Sequence, residues 1–219
     1  MAKKGLKRGV FITFEGVEGC GKSTHAKLLY GYLERNMKLP CLYTVEPGGT
    51  KTGDKIRRIL LNPKNTSLSS ITELFLFEAS RSQLVKEVIR PALKKKSIVI
   101  CDRFYDATTA YQGCAGALGV SLTKRISHLA TGGLKPDLTI ILDIDTRKGL
   151  RRAARRRGKD RMEKKDLSYH NRVRRGYIEI AKREPRRVKL IQTKKAISET
   201  QELIRREVLN VVQRYKTAG

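Results

Sequence analysis

The segment from Val10 to Thr24, VFITFEGVEGCGKST, contains the residue types that hold phosphate groups in proteins. It fits the pattern G-x-x-x-x-G-K-[ST] without a mismatch. Glycines in such a loop let the backbone take positive φ and turn successive N–H groups toward phosphate oxygens. The dipole of the following helix adds positive potential, Lys22 can reach the β- and γ-phosphates, and the Ser23 hydroxyl can ligate Mg²⁺. The predicted nucleotide-binding residues are Gly16, Val17, Glu18, Gly19, Cys20, Gly21, Lys22, Ser23 and Thr24.

A glycine-rich turn could match this pattern by accident, on the order of once in a hundred chains of this length at ordinary residue frequencies. A phosphate loop also needs a strand before it and a helix after it. The apolar run VFITFE supplies the strand, and STHAKLLYGYLERN has helical periodicity. This context favours the phosphate-binding interpretation.

The rest of the chain alternates predicted strands with predicted helices, which is typical of a parallel sheet covered by helices. We therefore predict an α/β, three-layer P-loop fold with a five-stranded parallel sheet, helices on both faces and a single domain over residues 1–219. After the first strand and helix, strands are predicted at 41–46, 97–102, 138–144 and 187–192, and helices at 50–61, 70–95, 106–111, 121–130, 168–183 and 198–214.

Three local features refine this prediction. Pro91 should kink or end the helix at 70–95, because proline lacks the N–H that a helix interior needs. The turn-rich run from Gly113 to Gly116 predicts a break between two helical segments. Asp102 ends the third strand and places a carboxylate at the carboxyl edge of the sheet, where open parallel sheets bind ligands.

The composition is strongly basic, with 48 Lys and Arg against 21 Asp and Glu and a formal net charge of +27. This charge favours polyanions in general and does not choose among nucleotides, nucleic acid and anionic surfaces. Much of the excess lies in residues 147–189, so it is a regional feature.

Targeting signals and cysteine pairs are not indicated. The N-terminal MAKKGLKRGV lacks the apolar core of a secretory signal, and no run of about eighteen apolar residues could cross a bilayer. We therefore expect a cytoplasmic protein without membrane association. Cys20, Cys41, Cys101 and Cys114 lack C-x-x-C spacing, which argues against a zinc site and a disulfide framework.

Later segments narrow the phosphate chemistry. A GTPase would carry an N-K-x-D guanine reader, which the sequence lacks, and a helicase or motor would need a longer chain. Beyond the phosphate loop, the chain carries EPGGT, FEASRSQL, DRFYDATTAYQG, KPDLTIILD, and the pair DRME and RVRRGY. With these segments in this order and spacing, the chain resembles the thymidylate kinase family, which transfers the γ-phosphoryl group of ATP to dTMP.

The resemblance implies a catalytic role for Lys22 and Arg103. It also implies Mg²⁺ held by Ser23 and by Asp102, directly or through water. The acceptor oxygen of such a reaction is already anionic, so catalysis needs positioning and charge neutralisation rather than a general base. Many arginines and no grouped Ser, His and Asp fit this requirement. The three histidines, at positions 25, 128 and 170, are interpreted as structural or surface residues.

The resemblance also implies a pocket for dTMP. Glu18 would face the sugar 3′-hydroxyl, and Phe77, which its apolar neighbours alone would assign to the core, would stack on thymine. Arg81, one turn after Phe77, would donate to O4 of the base. Thr108 would meet the base edge, and Tyr111 would crowd a ribose 2′-hydroxyl, which favours deoxynucleotides. The full implied set is Glu18, Glu46, Phe77, Arg81, Arg103, Thr108, Tyr111 and Gln112.

The basic segment at about 147–163 is similar to the mobile lid of nucleoside monophosphate kinases, which closes over the transferring group. Some thymidylate kinases carry a catalytic arginine in the phosphate loop and others carry it in the lid. The loop here has no basic residue at Val17, Glu18 or Cys20, so the resemblance implies a lid arginine. Arg156 is the first candidate and Arg152 the second, because adjacent arginines leave the register open.

Two residues depart from the family pattern, and two alternative functions are still possible at this point. Val45 stands where many relatives have Arg, and Ala107 where Ser is common, which bears on base specificity more than on reaction type. A kinase for another monophosphate, such as dUMP, is one alternative, and a nucleic-acid-binding ATPase, suggested only by the charge, is another.

The family is commonly dimeric, and the apolar run 75–77 suits a homodimer surface.

Overall fold

The protein contains a five-stranded parallel sheet. The structure is a computed structural model, which describes residues 5–116, 118–155 and 160–217. The strands pair in the order β2-β3-β1-β4-β5, all parallel, which confirms the predicted sheet. Each strand end lies within one residue of its prediction. The strands are β1 (Val10–Glu15), β2 (Cys41–Val45), β3 (Ile98–Asp102), β4 (Leu138–Asp143) and β5 (Val188–Gln192).

Helices connect the strands, and polar side chains cap several of them. The side chains of Thr50, Ser69, Asp145 and Asp166 each accept a hydrogen bond from a backbone N–H of the first helical turn. The α-helices are α1 (Lys22–Arg35), α2 (Lys51–Leu61), α3 (Ser70–Leu84), α4 (Arg90–Lys94), α5 (Tyr105–Thr108), α6 (Val120–Thr131), α7 (Thr146–Ala154), α8 (Leu167–Arg183) and α9 (Ile197–Gln213), with π-helical turns at Val85–Ile89 and Thr109–Ala115.

The central strand β1 is buried on both faces. Val10, Ile12 and Phe14 belong to a core cluster that includes residues of α1 and α9. Phe11 points to the other face, where its ring lies 4.9 Å from that of Phe104 in a cluster with α3 and α4. Helices therefore cover both faces, and β1 and β3 end side by side at one edge of the sheet.

Of the two outcomes predicted for Pro91, a kink or an end of the helix, the end is wrong. Helix α3 continues through the π-helical turn Val85–Ile89 into α4, which contains Pro91 in its first turn. Within the π-helical turn the Arg90 N–H donates to Val85 O, five residues earlier. The wider turn changes the hydrogen-bond pattern just before Pro91, and the helix therefore tolerates the missing N–H of the proline.

The predicted break over Gly113–Gly116 is also wrong for most of its length, because helical structure continues from α5 to Ala115. A Cβ atom at Gly113 would lie 2.7 Å from Thr123 Oγ1 of α6. Close packing against α6, rather than a turn, therefore favours glycine here. Among the described residues, none of the helices is long and apolar enough to span a bilayer.

Candidate active site

The phosphate loop lies between β1 and α1, and its glycines have the predicted positive φ. Gly16, Gly19 and Gly21 have φ values of 133°, 68° and 95°. Close packing adds a second requirement, since a Cβ atom at Gly16 would lie 2.4 Å from Leu142 O and one at Gly19 would lie 2.0 Å from Gly149 O. No larger residue fits at these two positions, so β4 and α7 fix the shape of the loop.

Lys22 curls back over the phosphate loop. Its Nζ donates to Val17 O at 2.9 Å and lies 3.6 Å from Cys20 Sγ. The ammonium group is therefore inside the curve of the loop, where a bound anion would meet it. Within the loop, Val17 and Cys20 are buried, whereas Thr24, in the first turn of α1, is exposed.

Ser23 and Asp102 come together at the ends of α1 and β3. The Ser23 hydroxyl donates to the Asp102 carboxylate. Both supply hard oxygen ligands, the type that Mg²⁺ prefers. Their position beside Lys22 follows from the pairing of β1 with β3, which brings Asp102 level with Phe14.

A pocket opens beside the phosphate loop at the carboxyl edge of the sheet. It brings together the loop residues that bear side-chain chemistry and every residue that the resemblance implied for dTMP. The predicted residues that line it are Glu18, Gly19, Lys22, Ser23, Glu46, Phe77, Arg81, Asp102, Arg103, Thr108, Tyr111 and Gln112. Gly16, Val17, Cys20, Gly21 and Thr24 lie outside its lining.

Arg103 is held in an unusual backbone conformation at the centre of this pocket. Its φ of 75° falls in the left-handed region, and its N–H donates to Phe14 O at 2.9 Å. Non-glycine residues in this region are strained and often occur at functional sites. The strained turn aims the guanidinium back toward the phosphate loop, where it donates to Gly16 O at 3.2 Å.

Glu18 is the centre of a buried hydrogen-bond network. Its Oε1 accepts from the Tyr111 hydroxyl at 2.6 Å and from Arg103 NH2 at 3.3 Å. Burial by itself would raise the pKa of Glu18, but the contact with His170 and the charges of Arg103 and Lys22 outweigh it and lower the pKa to about 2. Glu18 is therefore an ionised acceptor of hydrogen bonds at neutral pH.

Glu15, at the end of β1, has the opposite electrostatics. It accepts from the Phe104 N–H at 2.7 Å and from the Tyr177 hydroxyl at 2.8 Å. Burial raises the pKa of Glu15 to about 8, although the charge of Arg103 opposes the shift. The pKa values of two carboxyl groups three residues apart in the sequence are thus shifted in opposite directions.

Arg81 forms the floor of the pocket on the side away from the phosphate loop. It is 1% exposed, pairs with both Glu46 and Glu78, and donates to Thr108 Oγ1 at 2.9 Å. Burial raises the pKa of Glu46 to about 7, and the charge of Arg81 opposes this effect. Phe77 is half-buried at the pocket wall. It is therefore not the core residue that its apolar neighbours alone would suggest.

Sequence reasoning missed several residues at this site. His170, interpreted as a structural or surface residue, is fully buried with Nδ1 3.1 Å from Glu18 Oε2, so the surface alternative is wrong and its place beside the phosphate loop was not predicted. Arg57 lines the pocket and donates to Pro47 O at 2.6 Å. One available signal was the spacing of His170, Val173 and Tyr177, which places them on one buried face of α8. No comparable signal marks Arg57.

The predicted lid reaches the pocket only at its C-terminal end within the described residues. Arg152 is exposed on α7 and does not line the pocket. Arg156, the first candidate for the catalytic arginine, lies outside the described residues. Asp160, Met162 and Glu163 do line the pocket, although no role was assigned to them from the sequence.

The comparisons with known proteins agree with this arrangement. The model of the family described as thymidylate kinase matches residues 14–204, a range that contains every residue of the pocket lining. The chain belongs to the thymidylate kinase family. The resemblance drawn from the sequence segments is thereby confirmed.

Thymidylate kinases of several organisms are similar over nearly the whole chain. That of Symbiobacterium thermophilum is 46% identical over 213 residues, which cover 96% of this chain and 98% of that protein. That of Dehalococcoides mccartyi is 48% identical over 202 residues, which cover 91% of this chain and 95% of that protein. The crystal structure of thymidylate kinase from Ehrlichia chaffeensis matches with a TM-score of 0.74 at 33% identity, covering 91% of this chain and 98% of that one. The thymidylate kinase fold of this chain is thus confirmed by both sequence and structure.

Proposed function

We propose that this protein is an ATP-dependent dTMP kinase, which transfers the γ-phosphoryl group of ATP to dTMP and forms dTDP and ADP in the synthesis of dTTP. The observation that carries the proposal is one pocket with a phosphate loop on one side and an arginine-floored, aromatic-walled cleft on the other. Arg103 lies between the two sides, where two anionic phosphate groups would meet. Family membership supports the same reaction.

The donor side would bind ATP through the loop amides and Lys22. Ser23 and Asp102 would hold Mg²⁺ directly or through water, and their contact beside Lys22 fits such an ion. When bound, the ion neutralises charge on the β- and γ-phosphates. The remaining contributions come from the chain, because Lys22 and the positive end of α1 already supply a field for an anion.

The acceptor side would bind dTMP through charge and shape. Arg103 would clamp its phosphate, since a guanidinium fork meets two oxygens at once. Glu18 would accept from the 3′-hydroxyl, and Tyr111, held by Glu18, would occupy the space of a 2′-hydroxyl. Phe77 would stack on the base.

The base edge would meet the floor and the far wall of the cleft. Arg81 would donate to O4, with Thr108 and Gln112 beside it. Glu46 would fix Arg81 rather than contact the nucleotide, because the two form a buried ion pair. The side chains that would determine base specificity are therefore held in place by hydrogen bonds and ion pairs to other side chains.

A lid arginine would complete the charge balance of the transferring group. The phosphate loop supplies no basic residue besides Lys22, so we propose that the arginine comes from the segment around α7, with Arg156 ahead of Arg152. An arginine in this role can accelerate phosphoryl transfer by about a thousandfold or more.

The proposal includes a homodimer and a cytoplasmic setting. Phe75 of α3 is 56% exposed and Leu129 of α6 is 81% exposed, so two helices that contact each other carry apolar side chains into solvent. Of the predicted run 75–77, Phe75 suits such a surface, whereas Leu76 is half-buried and Phe77 lines the pocket. Sedimentation analysis should give a dimer that Phe75→Asp weakens.

All four cysteines lie in the described part as free thiols, which suits a reducing compartment such as the cytoplasm.

A direct assay tests the function. Purified protein with ATP and Mg²⁺ is offered dTMP, dUMP, dGMP and UMP separately, and the nucleoside diphosphates are resolved by chromatography. We expect dTDP in clear preference. Preferred use of a purine monophosphate would contradict the assignment of the pocket, and binding of dTMP without formation of dTDP would contradict the reaction.

A further inference from the structure

The side-chain amide of Gln112 has a defined orientation in the pocket wall. Gln112 lies in the π-helical turn Thr109–Ala115, is buried, and lines the pocket. An amide presents either its oxygen or its nitrogen to a ligand, and the hydrogen-bond partners decide which one. Here Nε2 donates to Glu73 Oε1 at 2.7 Å. The nitrogen is therefore engaged behind the wall, and the oxygen is left to accept a hydrogen bond in the pocket.

The partner of that amide is itself fixed by an arginine. Arg161 NH1 lies 2.5 Å from Glu73 Oε2, and both side chains are buried. Arg161 is anchored in turn, because its Nε donates to Leu60 O at 2.8 Å and its backbone N–H donates to Leu61 O at 3.2 Å. The guanidinium of Arg161 occupies Glu73 Oε2, and Glu73 Oε1 is the oxygen that accepts from Gln112. Gln112 must consequently offer it the nitrogen.

We propose that Glu73 and Arg161 form a positioning pair that determines base specificity by locking the Gln112 amide with its oxygen toward the acceptor base. This inference rests on the proposed function and extends it. The pair touches no substrate. It acts through Gln112, which would contact the base.

The locked amide and Arg81 together display a donor and an acceptor to the base edge. A 4-oxo pyrimidine such as thymine offers an acceptor at O4 and a donor at N3–H, which complements this display. A 4-amino pyrimidine such as cytosine offers a donor at C4 and an acceptor at N3, so both positions would be mismatched. A site built to hydrogen-bond one pattern rejects the other strongly, because mismatched buried groups stay unpaired.

A purely structural role for the pair makes a different prediction. Glu73 and Arg161 also join α3 to the segment after α7, so their loss could loosen the pocket in general. Loosening would reduce the use of every acceptor by a similar factor. Loss of the amide lock would instead change the ratio between acceptors that differ only at C4 and N3.

The test compares dTMP with 5-methyl-dCMP, which has the same sugar, phosphate and methyl group. Glu73→Gln keeps the size of the side chain but allows it to donate or accept, so Gln112 is free to turn over. We expect the kcat/KM ratio of dTMP to 5-methyl-dCMP to fall by about tenfold or more. Arg161→Met should lower the ratio in the same direction through a different side chain.

Two further variants serve as controls. Glu179→Gln changes a glutamate that is paired with Lys182 on the exposed face of α8, and it should keep the wild-type ratio. Gln112→Met removes the amide, so adding Glu73→Gln to it should leave the ratio unchanged. A further fall of the ratio in the double variant would show that Glu73 acts by another route.

The proposal fails if Glu73→Gln and Arg161→Met keep the wild-type ratio, or if both lose dTMP and 5-methyl-dCMP use equally. These outcomes differ from failure of the proposed function. If the function is wrong, the wild-type protein itself does not phosphorylate dTMP. If only this inference is wrong, the wild type prefers dTMP and the variants preserve that preference.

Discussion

His170 of α8 lies against Glu18 of the phosphate loop, with 3.1 Å between Nδ1 and Oε2 and no part of the imidazole exposed. The contact links a helix near the C-terminal end of the chain to the carboxylate that would face the acceptor sugar. Tyr111 and Arg103 hold the other carboxylate oxygen. The orientation of Glu18 is therefore determined from three separate elements.

Replacing His170 should loosen Glu18. We expect His170→Phe to lower the free energy of unfolding by about 1–3 kcal/mol, because Glu18 Oε2 stays buried without this contact. The KM for dTMP should rise several-fold with a smaller change in kcat. Urea unfolding and steady-state kinetics measure both effects. His128→Phe, at an exposed position of α6, is the control, and equal behaviour of the two variants would contradict the expectation.

The buried carboxyl of Glu15 predicts a pH dependence of stability. Its pKa is raised from 4.5 to about 8, so between these values the folded protein binds a proton that the unfolded chain releases. This contribution to stability is complete below the unfolded pKa and is lost as the pH rises through the folded pKa. Glu15→Gln mimics the protonated form. Relative to the wild type, it should gain about 4 kcal/mol of stability between about pH 5 and about pH 9.

Denaturant unfolding of both proteins at the two pH values checks this prediction for Glu15. Other titrating groups are shared, so they largely cancel in the difference between wild type and variant. A difference that does not change with pH would mean that Glu15 is ionised in the folded protein.

Lys22→Ala should abolish turnover. The ammonium group lies inside the curve of the phosphate loop, and no other basic residue of the loop can replace it on the β- and γ-phosphates. A coupled assay of ADP formation measures the loss, and thermal unfolding shows that the fold is kept. Lys27→Ala, at an exposed position of the same helix, should retain nearly full activity. Substantial turnover of Lys22→Ala would remove the loop lysine from the proposed mechanism.

The lid arginines can be separated by single substitutions. We expect Arg156→Ala to lower kcat by about a hundredfold or more, in line with arginines that stabilise transferring phosphoryl groups. Arg152→Ala should have a much smaller effect, because Arg152 is exposed on α7 and away from the pocket. Rapid-quench measurement of a single turnover isolates the chemical step. A severe loss of kcat in Arg152→Ala, together with normal kcat in Arg156→Ala, would assign the catalytic role to Arg152 instead.

Much of the fold follows from local patterns in the sequence. Apolar runs marked each strand to within one residue, and helical periodicity marked most helices, because burial of one face repeats with a fixed period. Helix α7, in the basic segment, was not predicted. The errors at Pro91 and Gly113 have a shared cause. Both residues are helix breakers by local preference, and both are accommodated by π-helical turns and close packing that no local pattern reveals.

The sequence by itself determined the phosphate loop, the family and many of the residues that line the pocket, because those signals are contiguous motifs whose chemistry depends on short spacing. Only the tertiary structure decided which charges meet. The pairs His170 with Glu18 and Arg161 with Glu73 join residues far apart in the chain, and the opposite pKa shifts of Glu15 and Glu18 arise from their neighbours in space. Burial and partner distance set these properties, and both exist only once the helices have packed on the sheet.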